Sequence, residues 1–233
     1  MYIQLRLEDT KAFKELEAAK SSQDNAKQEI KSSPILEALK RYPRRISLAA
    51  GAFLSIQVTF YILVAFILAY GVATTDLSRN DLLAAVLIGS AIMVPLQFYF
   101  SHYSDKNGRK GIFMAGAFLT ALWSFFLFPL IDTGNFYLVI LAVTGGLAFL
   151  GMMYGPQAAF FAELFSTEVR YSGASLGYQI GAILGGSFAP TIATLLWTSY
   201  DIFWVSVYIA LASAASMFSV YFLTETYKTD LNK

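Results

Sequence analysis

The side chains of this 233-residue chain that could bind a solute are amides and phenols, and they lie inside long stretches without charge. Amides and phenols donate and accept hydrogen bonds while staying neutral, so they can bind a polar solute or join two helices. Both interpretations, a solute path and an interhelical hydrogen bond, stay open for each of them. The residues are Gln57, Tyr61, Gln97, Tyr154, Gln157, Tyr178 and Gln179.

Several classes of chemistry are excluded by what the sequence lacks. The chain contains no Cys and a single His, His102, so thiolate metal sites, Cys nucleophiles and sites with two imidazoles cannot form. It has no HExxH zinc motif and no carboxylate pair within the uncharged stretches. The net charge of +1 gives no general attraction to nucleic acid. The sequence therefore predicts no enzyme, no metal site, no cofactor and no nucleic-acid partner.

The elements that must position the polar groups are six uncharged runs of 21 to 30 residues. A helix of about 20 apolar residues crosses a ~30 Å hydrocarbon core, so each run predicts a transmembrane helix and a lipid bilayer as partner. Residues 1–45 carry 17 of the 33 charges and are predicted to be a partly helical cytoplasmic segment. The bundle is predicted over 46–224, with a cytoplasmic tail over 225–233. Its six spans are predicted at about 46–71, 82–103, 111–131, 136–158, 172–197 and 202–224.

The basic residues predict how these helices are oriented. Sixteen of the 17 Lys and Arg residues lie before the first span, in the second and fourth links or after the sixth span, and only Arg79 lies in the other set of links. By the positive-inside rule, both termini are cytoplasmic. The expected location of this integral multi-pass protein is the bacterial inner membrane. With this orientation, Gln57 and Tyr61 lie near mid-depth and the other amides and phenols lie nearer the cytoplasm.

A glycine recurs every four residues along the fifth span, at Gly173, Gly177, Gly181 and Gly185. Small residues at this spacing allow another helix backbone to approach closely in lipid. Two interpretations are open: ordinary helix packing inside one bundle, or a smooth contact along which two bundles slide.

Two stretches carry a resemblance to a known family. Residues 101–110, SHYSDKNGRK, resemble the loop signature of the major facilitator superfamily, G-x-L-[SA]-D-R-x-G-R-[RK], and match it at Asp105, Gly108, Arg109 and Lys110. Residues 154–165 and 169–179 resemble the metabolite:proton symporters of that superfamily, which carry organic acids, shikimate, proline or betaine. The chain departs from the usual pattern at Ser166 and Glu168.

The resemblance implies that this all-α chain is one half of a twelve-helix carrier, with its six spans being helices 7–12 in two inverted three-helix repeats. It implies a partner half of six N-terminal helices, a small-molecule metabolite and a proton as transported partners, and alternating access. It further implies that the chain alone does not transport. The alternative is a non-transporting membrane interaction protein, an orphan six-helix bundle.

The resemblance also assigns a role to the charges at the cytoplasmic face. Arg109, Glu163 and Arg170 are expected to form a salt-bridge network that holds this face closed, with Glu168 as an alternative partner for Arg170. Asp105 is expected to face a helix of the missing half, and three independently solvated charges are the simpler alternative.

Overall fold

The computed structural model describes residues 34–166 and 169–226, and the secondary structure within these ranges is entirely helical. Six of the helices are long and apolar enough to cross a membrane, which confirms the predicted all-α membrane fold. The predicted cytoplasmic segment and tail lie mostly outside the described residues. The helices are α1 (Pro34–Arg41), α2 (Pro43–Thr74), α3 (Arg79–Asn107), α4 (Arg109–Asp132), α5 (Phe136–Glu163), α6 (Arg170–Ser199) and α7 (Ile202–Phe222).

Several helices begin at residues that favour a helix N-terminus. Pro43 occupies the first turn of α2, where its missing N–H is not needed, so α2 begins three residues before the predicted boundary at 46. Ser78 and Asp81 form a capping box at the start of α3, since each side chain accepts a hydrogen bond from the other's backbone N–H. Asn135 caps α5 with its side-chain oxygen, which accepts hydrogen bonds from two backbone N–H groups of the first turn.

The helices pack in a series in which each lies along the next: α3 on α5, α5 on α4, α4 on α7, α7 on α2, and α2 on α6. Exchanging α2 with α5, α3 with α6, and α4 with α7 leaves this series unchanged. Because α2 and α5 run in opposite directions, the pattern is that of two inverted three-helix repeats. The two ends of the series, α3 and α6, are the least buried of the six helices. Together with α5 they line a concave face.

Serine hydroxyls join the buried surfaces of the helices. The Oγ atoms of Ser55 in α2 and Ser213 in α7 lie 2.9 Å apart, and both side chains are fully buried. Ser124 of α4 and Ser206 of α7 each donate to the other's carbonyl oxygen, over 3.0 and 2.7 Å. A hydroxyl with no partner in hydrocarbon is costly, so these bonds set the register of α7 against its neighbours.

The glycine stripe of α6 faces a helix of the same bundle. A Cβ atom placed at Gly181 would lie 2.7 Å from the carbonyl oxygen of Ala50, and one at Gly177 would lie 2.7 Å from the Cβ of Ala49. Gly185 likewise lies against α2, while Gly173 lies against the ring of Phe165. This placement favours packing within one bundle over a sliding contact between two.

Both helices of this contact contain one turn of π-helix, at Ile62–Phe66 in α2 and Ile183–Ser187 in α6. The turn in α6 comes shortly before Pro190, which has no N–H to donate to the carbonyl four residues earlier. The regular α-helical hydrogen bonds of α6 are therefore interrupted at this point, and one π turn precedes the interruption.

Candidate functional site

A cavity of about 380 Å³ opens between α3, α5 and α6, on the concave face of the bundle. Its size falls within the range of about 300–1,000 Å³ that is usual for small-molecule sites. Five of the seven candidate amides and phenols line it, and Ser175, which is not one of the candidates, lines it as well. The polar lining residues are Gln97, Tyr154, Gln157, Ser175, Tyr178 and Gln179.

A close approach of two helices brings the amides of α3 and α5 together. A Cβ atom at Gly155 would lie 2.7 Å from the carbonyl oxygen of Gln97 and 3.1 Å from the backbone nitrogen of Ser101. Only glycine permits this contact, which places Gln97 beside Tyr154 and Gln157. Gln157 is the most enclosed of the three, with 6% of its surface exposed.

The lining chemistry is neutral throughout. Three amides, two phenols and one hydroxyl supply hydrogen-bond donors and acceptors, and no charged side chain of the described residues lines this cavity. Such a surface can orient a small polar molecule by hydrogen bonds and by contact with the phenol rings. It contains no group that titrates near neutral pH, so it has no evident carrier for a proton.

Gln57 and Tyr61 do not line this cavity and instead lie deeper, on α2 against the π turn of α6. Gln57 is 8% exposed, and a Cβ atom at Gly185 would lie 3.0 Å from its Cβ. Tyr61 is 39% exposed beside Gly186. At 1.5 Å per residue, Gln57 lies roughly 18 Å along α2 from Arg45. Tyr61, four residues further on, lies roughly 24 Å from Arg45. Their predicted depth near the middle of a ~30 Å hydrocarbon layer stays a prediction.

An ion-pair cluster joins three helices at one end of the bundle, hereafter the charged end. The Nε of Arg109 lies 2.8 Å from one carboxylate oxygen of Glu163 and 3.0 Å from the other. Its Nη1 lies 2.7 Å from Asp105. The side chains of Arg109 and Glu163 are each 9% exposed, whereas that of Asp105 is 52% exposed and free to accept further bonds.

Gly108 makes this geometry possible. It is the single residue between α3 and α4, and its φ of +106° lies in the region that only glycine adopts without strain. The chain therefore turns within one residue, and Arg109 starts α4 directly beside Asp105. This requirement explains the glycine of the Asp105–Lys110 motif in physical terms.

A second pair of contacts locks α4 to the end of α7. The Glu225 carboxylate accepts from the backbone N–H groups of Arg109 and Lys110, over 3.0 and 3.2 Å, at the positive N-terminus of α4. In return, the Lys110 ammonium donates to the carbonyl oxygens of Tyr221 and Leu223 at the negative end of α7, over 2.6 and 3.0 Å. Glu225 was not among the predicted site residues, because nothing local to its sequence marks it as a cap.

Arg170 lies at the start of α6, where its Nε is 3.5 Å from the carbonyl oxygen of Phe165. Its expected alternative partner, Glu168, lies outside the described residues. Of the predicted network, the structure thus brings together Arg109 and Glu163, and it places Arg170 at the link between α5 and α6. Asp105, which was expected to face a helix of the missing half, pairs with Arg109 in the described bundle.

Comparisons with known proteins agree with this architecture. The family model described as Major Facilitator Superfamily matches residues 5–176. The chain is 30% identical to an inner membrane metabolite transport protein of Escherichia coli K12, over 97% of this chain and 51% of that protein.

Two further relatives carry more specific names. A shikimate transporter of Escherichia coli K12 is 32% identical over 78% of this chain and 42% of its own length. A putative proline/betaine transporter of Staphylococcus aureus COL is 24% identical over 85% of this chain and 41% of its own length. The chain thus spans about half the length of the relatives that it matches.

Proposed function

Because this chain belongs to the major facilitator superfamily, we propose that it forms the C-terminal half of a proton-coupled carrier that moves a small metabolite by alternating access. The observation that carries the proposal is the neutral, hydrogen-bonding cavity on the concave face between α3 and α6. In carriers of this architecture the substrate lies near mid-membrane between two such bundles. The chain supplies one wall of that site and depends on a six-helix N-terminal partner for the other.

The neutral lining limits what this half can do alone. Proton coupling needs an ionisable group facing the transport path, and the described cavity offers amides and hydroxyls only. We therefore assign the coupling residues to the partner half. The names of the relatives suggest either a hydroxylated carboxylic acid such as shikimate or a zwitterion such as proline or betaine.

Co-expression tests the need for a partner. The chain is produced in cells alone and together with the first six helices of the Escherichia coli metabolite transport relative, and uptake of labelled shikimate, proline and betaine is measured. We expect uptake of one of them only when both halves are present. Transport by the purified chain alone in liposomes would contradict the assignment to half a carrier, and association of the halves without any uptake would favour a non-transporting interaction protein.

Orientation is a further part of the proposal. We place the charged end of the bundle and both chain termini in the cytoplasm of a bacterial cell, because 16 of the 17 basic residues lie on that side. The Arg109–Glu163 pair then joins α4 to α5 at the cytoplasmic face, and Asp105 adds α3, so that the cluster would hold that face closed during part of the cycle.

Single cysteines test this orientation without interference, since the chain has no Cys of its own. Thr133→Cys and Thr198→Cys lie near the end opposite the charged end and should react with a membrane-impermeant maleimide added to intact cells. Lys106→Cys, at the charged end, should react only after the cells are opened. The reverse pattern would show that the assigned orientation is wrong.

Substitution of the cavity amides tests the substrate path in the completed carrier. Gln157→Leu keeps the size of the side chain but leaves substrate groups without hydrogen-bond partners, so we expect KM to rise about tenfold, or about 1.4 kcal/mol. Gln57 lies outside this cavity, deeper on α2, and Gln57→Ala should alter affinity more than the amount of protein if the path continues to that depth. Thr120→Val, a buried change in α4 away from the cavity, is the control and should leave KM unchanged. If only protein levels fall in the Gln variants, these residues act as packing contacts.

A further inference from the structure

The short helix α1 presents an apolar face that the bundle does not cover. Ile35, Leu36 and Leu39 are 50%, 52% and 39% exposed, while Ala38 is fully buried. At 100° per residue the three large side chains fall within one third of the helix circumference, and α1 packs against α6 beside them. The helix is therefore amphipathic, with one side on the protein and an apolar side left open.

Positive charge adjoins this open face. Lys40 lies in the last turn of α1 and Arg44 in the first turn of α2, and both are exposed. Arg45 has a different task, since its Nη1 donates to the carbonyl oxygen of Leu164 over 2.7 Å. The exposed surface thus combines apolar side chains with cations along one edge, which is the pattern of helices that lie in a membrane interface.

The position of α1 along the membrane normal follows from its neighbours. Tyr42 alone separates α1 from α2, and α2 has 32 residues, or about 48 Å, against roughly 40–45 Å for a whole bilayer. The start of α2 therefore reaches the headgroup layer. Tyr42 is also held there, because its hydroxyl lies 3.3 Å from Ser166 and its ring meets Phe165 edge-on at 5.9 Å.

We propose that α1 with Lys40 and Arg44 is a docking surface for anionic phospholipids. Ile35, Leu36 and Leu39 enter the boundary between headgroups and acyl chains, and the two cations bind lipid phosphates beside them. Charge complementarity selects this occupant over a neutral apolar protein surface. The inference is independent of the transported substrate and of the partner half.

Docking has a mechanical consequence for the bundle. Tyr42 and Arg45, which follow α1 directly, contact the link between α5 and α6, two helices whose side chains line the cavity. An anionic leaflet thereby steadies one end of the cavity wall.

Brominated lipids test the proposal on the full chain. Leu36→Cys provides a single labelling site for a fluorophore, and the protein is placed in nanodiscs of equal parts phosphatidylcholine and phosphatidylglycerol. Two samples have the same headgroup composition and differ only in which lipid carries bromine on its acyl chains. At about 1 kcal/mol per cation, we expect phosphatidylglycerol near the label to be enriched roughly fivefold per charge, and to quench correspondingly more.

Two double variants test whether Lys40 and Arg44 cause the preference for phosphatidylglycerol. Lys40→Gln with Arg44→Gln should bring quenching by the two brominated lipids to the same level. Arg79→Gln with Lys106→Gln removes two exposed charges elsewhere and should preserve the preference. Equal quenching by the two lipids in the labelled Leu36→Cys protein, absence of quenching by either lipid, or a preference that survives Lys40→Gln with Arg44→Gln would each overturn the proposal.

Discussion

Arg109→Glu is expected to lower metabolite uptake by the completed carrier more than a hundredfold. The Asp105 and Glu163 carboxylates contact the Arg109 guanidinium, and the Glu225 carboxylate accepts from the Arg109 backbone N–H. The substitution adds a fourth carboxylate in place of the cation. Removing one partner of a buried ion pair costs about 3–5 kcal/mol because the other charge stays buried and uncompensated. Initial uptake rates at matched protein levels measure the loss.

The companion substitution Glu163→Arg should recover part of the lost transport. It recreates an opposite-charge pair between α4 and α5, although Asp105 then faces a carboxylate. Arg79→Glu is the matched control, because Arg79 is exposed at the far end of α3, and it should leave uptake unchanged. If the double variant is no better than Arg109→Glu alone, the pair does not act as a unit.

A double variant that removes both charges distinguishes a role of the ion pair in closing the charged end from a role in folding. Replacing both partners of a buried ion pair is often near neutral for stability, so Arg109→Gln with Glu163→Gln should keep its thermal midpoint. Without the ion pair the charged end should open more readily, and a cysteine at Ser175 in the cavity should react faster with thiol reagents from that side. Unchanged reactivity would assign the pair a purely structural role.

The fold was predictable because six uncharged runs, each long enough to cross a bilayer as a helix, indicate six transmembrane helices. The helix ends were less so: α2 begins at Pro43, since proline fits a first helical turn and two arginines can follow it at a membrane surface. The pairing of helices could not be read from the sequence. Small residues indicate where a helix is approached closely, but not by which helix. The glycine stripe of α6 was compatible with a contact inside this bundle or with the partner half, and its contacts with Ala49 and Ala50 lie inside this bundle.

The site was predictable in kind and only partly in place. Polar residues in apolar stretches are costly, so Gln97, Tyr154, Gln157 and Gln179 stood out, and all four line one cavity. Ser175 gave no such signal, because a serine in a membrane helix commonly bonds its own backbone. Glu225 was missed for a different reason: its role as a cap depends on α7 ending beside the start of α4, which is a tertiary fact.

Gly181→Ala is expected to destabilise the bundle by about 1–3 kcal/mol, the usual cost of overpacking, and Gly181→Leu to prevent folding. The added Cβ would lie 2.7 Å from both the carbonyl oxygen of Ala50 and the Cβ of Phe53. A flexible side chain could move aside, but the backbone of α2 cannot do so without separating from α6. Thermal midpoints of the purified chain in detergent measure the effect.

The same Gly-to-Ala change should not destabilise the bundle at two other glycines of the membrane helices, which makes the comparison decisive. At Gly111 in α4 a Cβ would meet nothing within 4 Å, so alanine only improves helix propensity and should hold or raise the midpoint. At Gly151 the nearest atom would be the Cγ of Met93 at 3.5 Å, an ordinary contact, and the change should be near neutral. The expected order of stability is therefore Gly111→Ala, then Gly151→Ala, then Gly181→Ala. If Gly181→Ala were as stable as Gly111→Ala, α2 and α6 would not be in backbone contact, and the wall that they form beside Gln57 would need a different account.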